Sequence, residues 1–318
     1  MKDALLDWAR LRGYLVAWGP VSAVDAARGE IEARQQRGEL DADFARENLG
    51  FSMQCPPDAT SQWRVVVVAI PRPGHRVTFT VEGRAVKAIL PPTYVRYRAT
   101  FSDIREQLAA CLGSRVELID APLKALAARL GVVRYGRNNI TYAPGMGSYL
   151  QLVGCVTDAA LPVPAGWTPH EPRLLDLCEA CGACETVCPT GAIDGDRVLL
   201  HAERCLTLAN EAAGAFPGWL PSSAHHCLIG CLLCQRACPA NTALDIQDAG
   251  VVFTAEETST LLAGAAEPVG PVWDAIREKL GRLGRNEDTV IGRNLRAMLR
   301  AAGPGPTAAA VGAPGDGR

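Results

Sequence analysis

The run Cys178-Glu-Ala-Cys181-Gly-Ala-Cys184-Glu-Thr-Val-Cys188-Pro189 decides how this chain is read. Its spacing is C-x2-C-x2-C-x3-C-P. Three closely spaced thiolates cap three corners of one [4Fe–4S] cubane, and the cysteine before the proline is aimed at another cluster. A second run, Cys231-Leu-Leu-Cys234-Gln-Arg-Ala-Cys238-Pro239, repeats the pattern without its first cysteine. Two such runs specify a pair of clusters, and a chain built around a pair of clusters handles electrons.

Two cubanes with four thiolates each need eight ligands, and the two runs supply seven of the chain's 12 cysteines. Cys178, Cys181, Cys184 and Cys238 make one set, while Cys188, Cys231 and Cys234 belong to the other. The crossing of Cys188 and Cys238 follows from the two-cluster geometry. Cys205 and Cys227 compete for the eighth place, and spacing alone does not separate them. Zinc ribbons do not use a third cysteine with a trailing Cys-Pro, and disulfides are not expected without a secretory signal. His225-His226 lacks the paired Cys-x-His spacing of a Rieske centre and reads as loop. Cys55, Cys111 and Cys155 stand alone in apolar surroundings, where a buried, unreactive thiol is the default.

At 318 residues and 48% hydrophobic, the chain can bury a sizeable core. A net charge of −2 predicts no strong global attraction to nucleic acid or membrane. The opening stretch, residues 1–15, mixes acids and arginines where a signal peptide needs an apolar core. The longest apolar runs, such as Val65 to Ile70, are far too short to span a bilayer. These features predict a cytoplasmic protein, with no membrane partner, acting as a monomer.

Outward from the cysteines, residues 1–165 read as an α/β or α+β sheet domain. Leu5, Trp8 and Ala9 recur at helical spacing, and a strand follows at 14–18. A charged helix spans 22–37. Arg64-Val-Val-Val-Val-Ala-Ile70 reads as a strand covered on both faces. Val77, Phe79 and Val81 alternate, Glu82-Gly83 turns, and Val86, Ala88 and Leu90 alternate again, which is a hairpin signal. Helices are expected at 101–112 and 122–130, the second ended by Gly131, with strands at 115–119, 138–142 and 149–156. Tyr94, Arg96, Tyr97 and Arg98 alternate like an edge strand. Residues 166–245 form the ferredoxin-like two-cluster module. Residues 246–302 form a short helical extension, and the tail 303–318 has the composition of a disordered segment. Arg293, Arg296 and Arg300 share one helix side, which reads as solvated or as a docking face for RNA phosphates.

The flanking sequence carries a resemblance. Cys188-Pro-Thr-Gly-Ala-Ile193, Leu199-Leu-His-Ala-Glu-Arg-Cys205 and Gly230-Cys-Leu-Leu-Cys-Gln-Arg-Ala-Cys-Pro-Ala-Asn241 look like the cluster region of epoxyqueuosine reductases. Ala127-Ala-Arg-Leu-Gly131, Gly136-Arg-Asn-Asn139 and Gly147-Ser-Tyr-Leu150 resemble the segment of that family that lies against its corrinoid. Residues 66–72 look like its core strand, and Gly292-Arg-Asn-Leu-Arg-Ala-Met-Leu299 is similar to the start of its helical extension.

The resemblance implies a cobalamin-dependent reductase, related in architecture to reductive dehalogenases. Two [4Fe–4S] clusters would pass electrons to a base-off cobalamin for removal of an oxygen or another leaving group. It implies Cys205 as the eighth ligand, and Arg134, Tyr135, Gly136, Arg137, Asn138, Gly147 and Ser148 as corrinoid-binding residues. Asp120, in Asp120-Ala121-Pro122, resembles the family's catalytic aspartate; counting back from Gly131 without a gap gives Glu117 instead. Val132, Val133, Arg134 and Tyr135 replace the family's aromatic and small residues, and Arg137 stands where a lysine is expected, which leaves the substrate open.

Each of these residues also has a plain structural reading. Asp120 would serve as a helix N-terminal acid, Gly145 to Ser148 as a turn, and Arg134 to Arg137 as a solvated loop. The expected partners are an external electron donor such as ferredoxin or flavodoxin, and a small-molecule or modified-nucleoside substrate. tRNA is a candidate bearer of that nucleoside, with weak and salt-sensitive RNA binding at most. The competing classes are a [4Fe–4S] electron-transfer protein and an activator of another protein's corrinoid. A front domain of about 165 residues is more than a simple carrier needs.

Overall fold

The computed structural model describes residues 1–195, 199–265, 267–284 and 288–302; the tail 303–318 lies outside them. In chain order come α1 (Lys2–Leu11), β1 (Leu15–Pro20), α2 (Ala23–Gln36), α3 (Ala42–Asn48), β2 (Arg64–Pro71), β3 (Gly74–Val81), β4 (Arg84–Leu90) and α4 (Tyr97–Leu112). Then follow β5 (Val116–Leu118), α5 (Leu123–Arg129), β6 (Arg134–Tyr135), β7 (Thr141–Tyr142) and β8 (Leu150–Thr157). From the first cysteine run onward come α6 (Ala183–Thr186), α7 (Leu206–Glu211), α8 (Leu233–Arg236), β9 (Ile246–Phe253), α9 (Ala255–Ala263), α10 (Pro271–Arg282) and α11 (Asp288–Ala302). The mixed α and β content is the expected class.

Two compact units are assembled from interleaved stretches. The first takes Met1–Arg72, Tyr97–Glu203 and Leu233–Leu244; the second takes Pro73–Arg96, Arg204–Leu232 and the described residues from Asp245 on. The sequence blocks 1–165 and 166–245 are therefore each shared between the units.

In the first unit an antiparallel sheet runs β1-β2-β8-β5. The valine run of β2 is apolar at successive positions because both of its faces are covered. Val65, Val67 and Ala69 pack with Ala27 of α2 and Leu126 of α5. Val66, Val68 and Ile70 pack with Leu5 and Trp8 of α1 and with Ile104 and Leu108 of α4. Each such side chain taken from water contributes about 1.5–3 kcal/mol before entropy is counted. β8, buried along its whole length, repeats the logic one strand over. The expected helix after Pro122 ends at Gly131, whose φ of +79° suits a residue without a side chain.

The second unit holds the hairpin β3–β4, closed by Glu82 and Gly83 at φ +48° and +75°. Both turn residues are left-handed, so the two-residue turn follows the strand twist even though glutamate is an unusual choice for it. β9 pairs parallel to β3 on the other side, starting from Gly74 opposite Ile246. This strand is absent from the sequence reading, which ran from the module straight into helices. Phe79 and Phe253 stack at 4.7 Å across the β3–β9 pair. Leu261, Trp273, Ile276 and Leu295 of α9, α10 and α11 complete that core. α9 opens with a capping box in which Thr254 and Glu257 satisfy each other's backbone N–H.

Two expectations change. No strand edge forms at 94–98, because α4 already begins at Tyr97. The arginine side of α11 is not simply solvated: Arg293 donates to the carbonyls of Ala209 and Gly214 and lies 4.0 Å from the Phe216 ring. Arg296 donates to the carbonyls of Leu261 and Leu262. Arg296, and Arg293 through Ala209, satisfy carbonyl groups left over at helix ends. Among the described residues no helix is long and apolar enough to cross a membrane.

The stacked pair generates a stability prediction. Phe79→Ala should cost about 3–5 kcal/mol through lost burial and the cavity left behind. Thermal unfolding followed by circular dichroism should show the loss, and an unchanged melting curve would remove the pair from the core of this unit.

Candidate functional site

None of the 12 cysteines is joined in a disulfide. Cys178 sits in a 3-10 turn, Asp176–Glu179, and Cys184 in the single turn of α6, with Cys181 between them. Cys178 and Cys184 are buried, and Cys181 and Cys238 are partly exposed. Burial pushes the Cys184 thiol up; backbone N–H groups offset this, and the Cys178 and Cys238 sulfurs push it up again. The charges of Cys178 and Cys238 thus both act on the Cys184 sulfur, which puts the three near one another. Among the described residues no three or more His, Cys, Asp or Glu close on a point that a single ion could occupy. A cubane asks for something different, thiolates set at the corners of a body several atoms across.

Cys188 also belongs to the first unit. Burial raises its thiol, but the Thr190 hydroxyl and the N–H groups of Thr190, Ile193 and Ala192 more than reverse this and hold it below its ordinary value. The Ala192 N–H stands 3.2 Å from the sulfur. Such donors favour a thiolate, the form that ligates iron.

In the second unit, Cys205 occupies the position that opens α7. Cys227 differs. Its sulfur donates to the Gly230 carbonyl at 3.0 Å and accepts from Asn210 Nδ2 at 3.4 Å. Burial, and next the neighbouring Cys231, push its thiol strongly up. Cys227 thus has partners of its own as a neutral thiol. His226 is turned by a 2.8 Å contact between Nδ1 and the Ala224 carbonyl, leaving Nε2 3.6 Å from the Cys231 sulfur. His225 is buried against Phe216. Of the isolated cysteines Cys155 is fully buried, whereas Cys55 and Cys111 are only partly so.

The segment between Gly131 and Ser148 does two things. Part of it walls a cavity of about 570 Å³ lined by Val132, Val133, Arg134, Tyr142, Ala143 and Gly145 among others. The lining also includes Ala240 and Thr242, in the chain just past Cys238. Of the residues read as corrinoid-binding, Arg134 and Gly147 line this cavity. Arg134 carries an ion pair to the exposed Asp176 at 2.9 Å.

Of the other five expected residues, Arg137, Asn138 and Ser148 hold the cysteine runs in place. Arg137 donates to the Cys178 carbonyl at 2.6 Å and to the Gly195 carbonyl at 3.0 Å. Asn138 donates to the Tyr142 hydroxyl at 2.9 Å and to the Cys234 carbonyl at 3.4 Å. Ser148 makes a two-way contact with Asn241: its N–H donates to Oδ1 at 2.7 Å, and Nδ2 donates back to its hydroxyl at 2.8 Å. Gln235 adds a donor to the same hydroxyl at 3.1 Å. Tyr135 packs into the core beneath β2, and burial raises its hydroxyl far above the ordinary range. Gly136 must be glycine, since a side chain there would strike the Tyr142 ring and the Asn138 side chain.

Tyr142, Gln235 and Asn241 have roles that the sequence reading missed. The two polar residues flank Cys238 and were visible only as part of a quoted motif. Tyr142 is 3% exposed, and burial, then its hydrogen bond to Cys238, push its hydroxyl far up.

Asp120 does not line the cavity. Its carboxylate accepts from the Ser52 N–H at 2.8 Å and its carbonyl from the Met53 N–H at 2.9 Å. The N-cap of α5 is Pro122, so Asp120 is not that helix's capping residue. The Tyr97 hydroxyl is raised by burial and next by the charge of Asp120, which puts the two near each other. Glu117 lies on β5 and pairs with Arg115 at 3.0 Å, beside the Arg115–Asp58 pair.

Residues 177–241 match the family model described as a 4Fe-4S double cluster binding domain. The chain is 35% identical over 270 residues to the epoxyqueuosine reductase of Pseudomonas aeruginosa, covering 76% of this chain and 69% of that one. It is 31% identical over 124 residues to the Bacillus subtilis epoxyqueuosine reductase, covering 38% of this chain but only 30% of the relative. Among solved structures, the Streptococcus thermophilus epoxyqueuosine reductase aligns with a TM-score of 0.65 at 17% identity, covering 95% of this chain and 81% of that one. An epoxyqueuosine reductase solved with an epoxyqueuosine-modified tRNA-Tyr stem loop aligns at 0.64 and 19% identity, covering 94% and 81%. These likenesses share the fold described above.

The contrast between Cys205 and Cys227 makes a direct prediction. Anaerobic reconstitution should load about eight iron per chain, two full cubanes. Cys205→Ala should lose one cluster while Cys227→Ala keeps both, as read by iron content and by EPR after reduction. The reverse pattern would move the eighth ligand to Cys227.

Proposed function

We propose, from the premise that the chain belongs to the epoxyqueuosine reductase family, that it is an iron–sulfur oxidoreductase that removes an oxygen from a modified nucleoside. The observation that carries this reading is the cavity wall. It passes from the segment 131–147 directly onto Ala240 and Thr242, the chain that leaves the cluster ligand Cys238. A cofactor seated there would lie against the end of a two-cluster wire.

The lining suits the face of a broad, flat group such as the cobalamin corrin. Val132, Val133, Ala143, Pro144 and Gly145 offer small apolar surface, and Arg134 supplies a cation. Among these, Gly145 has open space around its Cα, so nothing of this residue intrudes. A bound cobalamin would supply a cobalt centre able to take electrons one at a time and to act on a carbon–oxygen bond. Cys178, Cys181, Cys184 and Cys238 would hold one cluster; Cys188, Cys205, Cys231 and Cys234 the other. An external one-electron donor, such as a ferredoxin or flavodoxin, would feed them. Twelve cysteines held outside disulfides suit a reducing compartment such as the cytoplasm.

Removing an epoxide oxygen as water, leaving a carbon–carbon double bond, consumes two electrons and two protons. The clusters account for the electrons. For a proton we place Asp120, whose carboxylate is held by a single backbone N–H from Ser52 and is exposed to exchange with water. Glu117 is less suited, since Arg115 already engages its carboxylate. With net charge −2 and with Arg293 and Arg296 committed to backbone carbonyls, recognition would rest more on the nucleoside than on phosphates.

Asp120→Asn should keep both clusters and the Ser52 contact, because an amide oxygen can still accept it. Turnover should fall by about 10² or more, the scale for losing a positioned general acid. Full activity in Asp120→Asn together with loss in Glu117→Gln would transfer the role to Glu117.

The substrate assignment has its own measurement. Reduced, cobalamin-loaded protein should convert an epoxyqueuosine-bearing tRNA stem loop to the product lacking one oxygen, as read by mass spectrometry of the released nucleoside. No conversion of the stem loop, with both clusters and cobalamin in place, would point the same electron path at a different leaving group.

A further inference from the structure

Arg137, read from the sequence as a corrinoid residue, stands against the first cysteine run. Its Nη2 donates to the Cys178 carbonyl at 2.6 Å and its Nη1 to the Gly195 carbonyl at 3.0 Å. The first acceptor belongs to a cluster ligand, the second to the loop that follows Cys188-Pro189. Its Nε is closed off from solvent and has no acceptor among the described residues. Arg137 forms no ion pair among them either, whereas the nearby Arg134 is engaged by Asp176. The guanidinium therefore carries a positive charge that no carboxylate cancels, and that charge is present at every pH the protein meets.

Covalent geometry limits how far this charge can be from the first cluster. The carbonyl oxygen and the sulfur of one cysteine lie within about 5 Å of each other however the side chain turns. Adding the 2.6 Å hydrogen bond puts Nη2 within roughly 8 Å of the Cys178 sulfur. The contact is partly buried, and charges there are screened less than in open water.

We propose that the charge of Arg137, clamped to the Cys178 carbonyl, raises the reduction potential of the cluster held by Cys178, Cys181, Cys184 and Cys238. The inference rests on the two-cluster reading above. On reduction the cubane takes one electron from the external ferredoxin or flavodoxin, and no bond forms or breaks. A fixed cation nearby stabilises the more negative, reduced form, so the potential rises. The buried Nε–H, which the polypeptide leaves without an acceptor, suits a cluster sulfur and acts in the same sense. Cys238 of this cluster leads directly to Ala240 and Thr242 of the cavity lining. A raised potential therefore draws the electron to the cluster beside the cavity.

The turn that bears Cys178 does not depend on this arginine alone. The Cys178 N–H donates to the Leu175 carbonyl at 2.9 Å, and the Leu175 N–H to the Tyr135 carbonyl at 2.8 Å. Asp176 adds its pair with Arg134. The potential can thus be measured with Arg137 replaced.

The test is an EPR-monitored redox titration of the anaerobically reconstituted full chain, with iron content measured alongside. Arg137→Lys and Arg137→Gln both lose the planar fork, but only the glutamine loses the charge. Both should retain about eight iron per chain. In Arg137→Gln one midpoint should move negative and the other stay. At a fixed potential the reduced-to-oxidised ratio of the shifted cluster should fall about tenfold or more, a change of about 59 mV per tenfold for one electron. Arg137→Lys should keep both midpoints near those of the unaltered protein. In a Cys205→Ala background the surviving cluster should be the one that shifts, and its failure to shift would overturn the proposal. Unmoved potentials in Arg137→Gln at full iron content would do the same, as would an equal shift in Arg137→Lys. Loss of iron from either variant would also overturn it, since the fork would then be holding the turn and not tuning the cluster. About four iron per chain in the unaltered protein would instead remove the two-cluster reading itself.

Discussion

The two-way hydrogen bond between Ser148 and Asn241 is the contact on which the candidate site depends. It joins the segment that walls the cavity to the residues just beyond Cys238, with distances of 2.7 and 2.8 Å. Asn241 also donates to the Gln235 carbonyl at 2.7 Å, fixing the short path through α8 and Cys238. Gly147 makes the approach feasible, because any side chain there would collide with Asn241. Each such bond contributes only about 1 kcal/mol net, yet leaving a buried partner unsatisfied costs about 1–3 kcal/mol. The geometry is therefore close to all-or-none, as a rigid inorganic ligand requires.

The cysteine runs were legible because ligation by a cubane is written into spacing, which a sequence displays directly. β2 was legible for a related reason: a strand covered on both faces loses its alternation and shows an unbroken valine run. The hairpin was legible from alternation and a glycine. What escaped was whatever depended on a distant partner. β9 has little pattern of its own, with exposed positions at Gln247, Asp248 and Gly250, and becomes a strand by pairing with β3. Arg293 and Arg296 looked like an exposed face because the carbonyls they cap belong to other segments. The placement of α4 at Tyr97 was hidden by an alternation of tyrosine and arginine that mimics a strand.

The candidate site shows the same division. Residue types suited to a corrinoid were read from the segment 134–148, but that segment splits between lining a cavity and anchoring the cysteines. Arg137 and Asn138 do the second, through carbonyl groups whose locations no local pattern reveals. Asp120 was placed by motif, and its contact with Ser52 lies across 68 residues of sequence. Tyr142 carried no signal at all, since a tyrosine in a short strand is most often core.

The buried Asn294 of α11 donates one hydrogen to the Asn210 carbonyl and the other to the Leu228 carbonyl, at 2.8 and 2.9 Å. Asn210 in turn donates to the Gly230 carbonyl, immediately before Cys231. Asn294 stands 84 residues beyond Asn210. Translation proceeds from the N-terminus, so the acceptor carbonyls leave the ribosome well before the donor exists. The segments bearing Cys205 and Cys231 must wait, with their carbonyls facing water, until α11 has been made. Final shaping of that part of the chain therefore waits for α11, although the thiols themselves emerge earlier.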